Sequence, residues 1–242
     1  MELLLKLMDT SGVSGNEEHI RDLISKEISR YVDNARVDKM GNLIAVKKGK
    51  LPKVMLAAHM DEVGLMVKKI EENGNIKCAG IGEVEVNSLV GKKVKINAKS
   101  GFIIGTIKSK KSKKIGIKDI FIKTKFSKKE LLKNNVEIGS YVSFENYSNI
   151  KKGFIEGKAM DNRIGCFTLI ELAKNLKKAR NEIYFVFTIQ EEIGLYGAKT
   201  SAFEIQPDWA ITVDATEAKK EASKSDVFIG NGPFITIKDA DF

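Results

Sequence analysis

Three short runs of nearly uninterrupted apolar residues, at 54–58, 183–189 and 209–213, constrain the fold of this chain more than any other feature. They lack the in-out alternation of a strand with one wet face. They therefore read as strands buried on both sides of a mixed or parallel sheet, with helices over its faces. After Ser14-Gly15-Asn16, the residues Ile20, Leu23, Ile24, Ile28, Tyr31 and Val32 recur at helical spacing, with Glu17 and Glu18 in the first turn. A second, wider apolar helix follows Asp161 (Ile164, Phe167, Leu169, Ile170, Ala173, Leu176), and a third starts within 194–201. Two shorter strand candidates, 35–39 and 43–46, flank the turn signal Met40-Gly41-Asn42.

Between about 67 and 155 the character changes. Short β-like runs (93–96, 102–107, 119–123, 141–144) alternate with Gly and Lys, and helical periodicity is confined to 128–134. The expectation is an α/β fold, a mixed sheet flanked by helices, with core parts at 1–66 and 156–242 and a small all-β domain inserted at 67–155. The net charge of +9 is concentrated there. From Lys92 to Lys133 there are 15 Lys against Asp119 and Glu130, a local balance of +13, so the rest of the chain carries −4. This stretch has no Arg and little aromatic interleaving, so a solvated face is expected and a nucleic-acid partner is not. Fifteen lysines repel one another unless they are exposed or matched, so any contact between copies should use the apolar positions around Phe102, Ile103 and Ile104. Two cysteines, Cys78 and Cys166, cannot form a disulfide framework, no apolar run approaches a membrane span, and the opening LLLKLMD is too short for a signal peptide. A soluble cytoplasmic protein is expected.

The three apolar strands each end in groups that bind metals or move protons: His59 with Asp61, Glu191 with Glu192, and Asp214. Crevices beyond the carboxyl ends of strands are where sites form in open α/β sheets, so these residues can converge. Asp161 joins them from a helix start. One imidazole with several carboxylates suits zinc, cobalt or manganese. Each piece alone has a plainer reading: His59 as a hydrogen-bonded structural residue, Asp161 as a helix cap, Glu191-Glu192 as a solvated loop, Asp214 as a turn start. Their coincidence after buried strands favours a site, because buried acids are costly unless paired, hydrated or metal-bound.

The segments His59-Met60-Asp61-Glu62-Val63-Gly64, Lys158-Ala159-Met160-Asp161-Asn162-Arg163, Gln190-Glu191-Glu192-Ile193-Gly194-Leu195-Tyr196-Gly197-Ala198 and Val213-Asp214-Ala215-Thr216 resemble four successive motifs of the dinuclear aminopeptidases. That family includes glutamyl aminopeptidase and the tetrahedral archaeal peptidases, and some relatives carry the label endoglucanase. Ser14-Gly15-Asn16-Glu17-Glu18 and Met40-Gly41-Asn42-Leu43-Ile44 resemble its N-terminal pattern. The resemblance implies a zinc-peptidase-like core and two divalent ions, zinc or cobalt. By the same resemblance His59 and Asp214 bind one ion, Asp161 bridges both and Glu192 binds the second. Glu191 is then the general base toward a metal-bridging water, and Asp61 orients the His59 imidazole. It further implies a cis peptide bond between Asp161 and Asn162, a peptide substrate, and homo-oligomers assembled through the inserted domain.

The match has gaps. Family members continue past the end of this sequence and carry there a second ligand histidine, whereas this chain has only His19 and His59. His19 falls among surface-like residues of the first helix. The expectation is a second metal site left incomplete, in a chain that breaks off inside the catalytic domain after the Gly230-Asn231-Gly232-Pro233 turn and the final segment 238–242. The insert departs too, at Phe121-Ile122-Lys123-Thr124-Lys125-Phe126 and in the almost wholly basic stretch 108–114. Two functions follow from this reading: a metal-dependent aminopeptidase acting on N-terminal residues, or an inactive or scaffold relative lacking a second-site ligand.

Overall fold

A computed structural model describes residues 1–216 apart from 146 and 152 and, beyond 216, only 218, 232, 233, 235 and 236. Gly230, Asn231 and the segment 238–242 lie outside the described residues. In chain order the first part holds α1 (Glu2–Asp9), α2 (Glu18–Ile28), β1 (Asn34–Val37), β2 (Leu43–Lys47) and β3 (Lys50–His59). The middle holds β4 (Gly64–Ile70), β5 (Ile76–Ile81), α3 (Val86–Leu89), β6 (Lys93–Ala98), β7 (Gly101–Ser109), β8 (Ile120–Lys123), α4 (Lys128–Lys133) and β9 (Tyr141–Phe144). A short ribbon of β10 (Asn149–Lys151) and β11 (Phe154–Glu156) leads to α5 (Met160–Asn175), β12 (Asn181–Thr188), α6 (Tyr196–Ile205) and β13 (Trp209–Thr212).

Five strands form one mixed sheet in the order β1-β2-β12-β3-β13, with β12 and β13 parallel to β3 and the β1–β2 and β2–β12 pairs antiparallel. Alternation sorts the apolar runs onto two faces. Leu43, Ala45, Leu56, Ala58, Phe185 and Phe187 pack with α1, α2 and α5, through Leu7, Ile20, Ile24, Cys166 and Leu169. On the opposite face Ile44, Met55, Ala57 and Val186 meet Ile205 of α6. Helix α1 was not expected from the sequence; its buried face is Leu4, Leu7 and Met8.

The middle segment closes into a six-stranded barrel, β4-β5-β8-β7-β6-β9, filled by residues such as Leu65, Val67, Val94, Ile96, Ile107, Ile122 and Val142. Closure leaves no open sheet edge, and strands this short need it to bury a common interior. None of the 15 lysines from Lys92 to Lys133 is buried.

Two expectations need correction. Strand β13 is exposed along its whole length, with Trp209 at 68% and Ile211 at 56% of full exposure. It is the end strand of the sheet and pairs only with β3 among the described residues, and an apolar run by itself does not separate a central strand from an edge. Ile103 is buried inside the barrel while Phe102 and Ile104 face out. Period-two alternation splits these three neighbours between the two faces, so they cannot act as one outer patch.

The chain leaves the core after β3 and returns before α5, and a buried ion pair ties exit to re-entry. Glu62 accepts from Lys158 Nζ at 2.6 and 2.7 Å and from the Gly12 amide at 2.9 Å. Fully buried Arg163 lies 3.7 Å from the same carboxylate and donates to the carbonyls of Met60, Leu7 and Thr10. Removing one partner of a buried pair strands the other charge, at a cost of about 3–5 kcal/mol. Lys158→Met should therefore lower the urea-unfolding midpoint by an amount equivalent to about 3 kcal/mol or more. The same change at exposed Lys123 should shift it by less than about 0.5 kcal/mol. Equal shifts would show that the pair does not hold the barrel's neck together.

Candidate metal centre

Parallel strands β3, β12 and β13 deliver their carboxyl ends to one sheet edge. Thr188 pairs with His59 and Thr212 with Ala57, so Asp214, two residues on, comes level with His59. The imidazole is almost wholly buried, and its Nε2 lies 3.0 Å from Asp161 Oδ1, 3.7 Å from Asp214 Oδ1 and 3.9 Å from Glu191 Oε2. Candidate ligand atoms of His59, Asp161 and Asp214 all lie within 4.8 Å of one another, and so do those of His59, Glu191 and Glu192. The structure thus brings together His59, Asp161, Asp214, Glu191 and Glu192, five of the six residues expected at the site.

Asp61 sits behind them, fully buried, with Oδ1 3.5 Å from His59 Nδ1. Its carboxylate accepts from the Ser14 hydroxyl and from the amides of Glu191 and Glu192, at 3.1 and 3.2 Å. One acid therefore faces the imidazole and anchors the loop that carries both glutamates. Helix α5 enters through a cis bond between Asp161 and Asn162, as the resemblance implies. Asn162 then donates to the Val213 carbonyl at 2.8 Å, fastening Asp161's helix beside Asp214's strand. Left-handed backbone occurs at Ala159 (φ 50°) and Gln190 (φ 52°), one just before each acidic segment. Non-glycine residues adopt it rarely and mostly where surroundings impose it, as at functional sites.

Sequence reasoning assigned no role to several braces of this arrangement. Asn42 accepts from the Ile189 amide at 3.0 Å and donates to the Gly197 carbonyl at 3.1 Å, bracketing the glutamate loop. Buried Glu17 accepts from the Gly15 and Gln190 amides. Both residues fall within segments the sequence had singled out, yet nothing in one sequence pairs Asn42 with Ile189. His19 stays apart on α2, exposed, its ring 6.2 Å from Phe102.

The electrostatics test whether a cation belongs here. Burial alone would lower the His59 pKa, but Asp161, Asp61 and Asp214 outweigh it and raise the group to about 10. Glu192 is pushed up to about 7, and Glu191 and Asp214 upward as well. Burial is the largest cause in each, His59 opposes it, and neighbouring carboxylates add to it. Asp61 moves the other way: burial would raise it, but His59, Ser14 and the Glu191 amide prevail and lower it. Four crowded carboxylates around one imidazole carry more negative charge than that imidazole can balance. A mixed N/O donor set of this kind fits a divalent ion such as zinc or cobalt.

Known proteins resemble this chain in sequence and in fold. Residues 41–242 match the model of the M42 glutamyl aminopeptidase family. An Acetivibrio thermocellus protein is 43% identical over 98% of this chain and 73% of its own length. Among solved structures, an aminopeptidase of the archaeon Desulfurococcus kamchatkensis superposes with a TM-score of 0.89 at 33% identity, over 96% of this chain and 68% of that one. The TET1 peptidase of Pyrococcus horikoshii, which can assemble into a tetrahedron or a large octahedral shell, has a TM-score of 0.81 at 30% identity, over 88% and 68%.

Only one imidazole serves the cluster, so titration of metal-free protein with zinc should show one tight equivalent and much weaker further filling. Two equally tight equivalents would overturn that. Asp61→Asn keeps the shape but weakens the grip on the imidazole and the glutamate loop, and should cut zinc affinity by about 10–100-fold. An affinity within twofold of the parent would show that Asp61 does not orient the ligands.

Proposed function

Because the chain belongs to the M42 glutamyl aminopeptidase family, whose members are metal-dependent aminopeptidases, we propose that the acidic cluster is a hydrolytic centre releasing N-terminal residues from peptides. The observation that carries this reading is the convergence of His59, Asp161, Asp214, Glu191 and Glu192 at one sheet edge. His59 and Asp214 would hold one divalent ion, Asp161 would be shared, and Glu192 would hold a second, with zinc or cobalt as the ions. Bound there, the ions would supply Lewis acidity toward the scissile carbonyl and a water of lowered pKa.

The protein's own residues supply the rest. Glu191, half-buried beside His59, takes the proton of the attacking water and hands it to the leaving amine. Asp61 keeps the imidazole turned so that Nε2 faces the acids, and through two amide hydrogen bonds it keeps Glu191 and Glu192 at the same edge. We further propose assembly of several copies through the barrel, in line with the P. horikoshii neighbour, with outward-facing Phe102 and Ile104 of β7 as the contact. Among the described residues no helix is long and apolar enough to cross a membrane. Two buried free cysteines suit a reducing compartment, so we place the protein in the cytoplasm. A second reading, an inactive or scaffold relative, draws on the single imidazole in the cluster.

The two glutamates separate base from ligand. Glu191→Gln should lower hydrolysis of aminoacyl anilides by about 100-fold or more while leaving zinc content unchanged. Glu192→Gln should instead abolish the second, weaker zinc equivalent while the tight one remains. If both variants lost zinc equally, the division of roles would be wrong; zinc-loaded parent protein with no turnover would favour the scaffold reading.

A further inference from the structure

A cavity of about 310 Å³ opens from the acidic cluster toward the barrel. Val63, Phe144 and Met160 form its apolar lining, and Glu62, Lys158, Glu83, Asp161 and Glu192 its charged lining. These charges do not weigh equally. Lys158 donates to both oxygens of Glu62, so that pair is internally neutral. Asp161 and Glu192 face the metal centre proposed above. Glu83 remains, with no ion pair or hydrogen bond among the described residues.

The position of Glu83 is set by its neighbour. Gly82 has φ +72°, and a Cβ there would lie 2.8 Å from Val63 Cγ1 and 3.2 Å from Glu192 Cβ. The turn between β5 and α3 is therefore pressed backbone-first against the wall beside Glu192. Glu83, next in the chain and exposed, stands at the cavity's barrel side.

We propose that Glu83 is a specificity-determining residue, receiving the cationic head of a lysine or arginine at the N-terminal position of the substrate; this rests on the aminopeptidase reading. The chemistry of the walls suits such a side chain. Its aliphatic stem lies along Val63, Phe144 and Met160, and its head reaches the one unbalanced carboxylate. The substrate's α-amine is two bonds from the scissile carbonyl carbon and so stays by the cluster, leaving Glu83 to the side chain.

Calorimetric titration of the purified protein in zinc-containing buffer with L-lysinamide, L-argininamide and L-leucinamide tests this, alongside kcat/KM on the matching p-nitroanilides. The basic amides should bind about tenfold tighter than leucinamide, and Glu83→Gln should erase that preference. Glu83→Lys should turn it toward glutamic acid amide. Equal affinities for the three amides, no binding of any, or a basic preference that survives Glu83→Gln would each overturn the inference, even if anilides are hydrolysed. Protein that hydrolyses no anilide yet prefers basic amides through Glu83 would keep it and refute the aminopeptidase reading instead.

Discussion

The segments that carry candidate ligands are held in register by one buried carboxylate. Asp61 has no exposure to water, so its charge survives only because the Ser14 hydroxyl, two amides of the glutamate loop and the His59 ring surround it. An ionised group buried without such partners costs several kcal/mol, of order 5, and would neutralise instead. Hydrogen bonds to the charged form do the opposite and hold its pKa down. The same contacts that satisfy Asp61 therefore fix where β3 and β12 release their functional side chains. The need to satisfy a buried acid becomes the positional accuracy of a site.

The next residue repeats the device on the other side. Met60 is buried in the apolar core with Leu7, Ile20 and Cys166, and Glu62 reaches toward Lys158 and Arg163 rather than toward His59. About 95 residues separate Glu62 from Lys158, and the barrel fills that interval. Such an insertion could easily uncouple the two halves of the cluster, since His59 precedes it and Asp161 follows it. The pair closes the neck, and Arg163 extends the closure to the carbonyls of α1 and the linker after it. Lys158 stands three residues before Asp161 and Arg163 two after it, so both flanks of that ligand segment are tied to the exit of β3.

How far this was legible in the sequence depended on whether the signal was local. His59, Glu191 and Asp214 stood out because each follows an apolar run that ends abruptly in a residue able to bind metal, and parallel strands bring such ends to one edge. The cis bond after Asp161 came from the resemblance, not from residue chemistry. Strands β4 and β5 escaped individual reading because lysines and glycines interrupt their apolar positions, and only barrel closure makes the inward residues Leu65, Val67 and Ile76 a common core. Ile103 looked equivalent to Phe102 and Ile104 in a run of three, and β13 looked as deeply placed as β3; both errors concern which side of a strand is covered, a tertiary fact. The braces from Asn42 and Ser14 were illegible for the same reason, since their partners lie 147 and 47 residues away.

The charge distribution sets two fields of opposite sign side by side. The barrel's lysines lie outside, none of them buried, while the cluster and its cavity are lined by carboxylates. Taken alone, the outer field would turn cations away and gather anions. Salt limits its reach to about 8 Å at physiological ionic strength, because exposed charges are screened beyond that length. Carboxylates recessed between protein walls are screened less and focus their field inward. A cationic side chain therefore feels attraction only once it is close to the cavity, at whose exposed rim Glu83 would meet it at short range. Discrimination by such a pocket lies in how long the bound side chain stays rather than in how fast it arrives, so the basic surface and an acidic pocket coexist without cancelling.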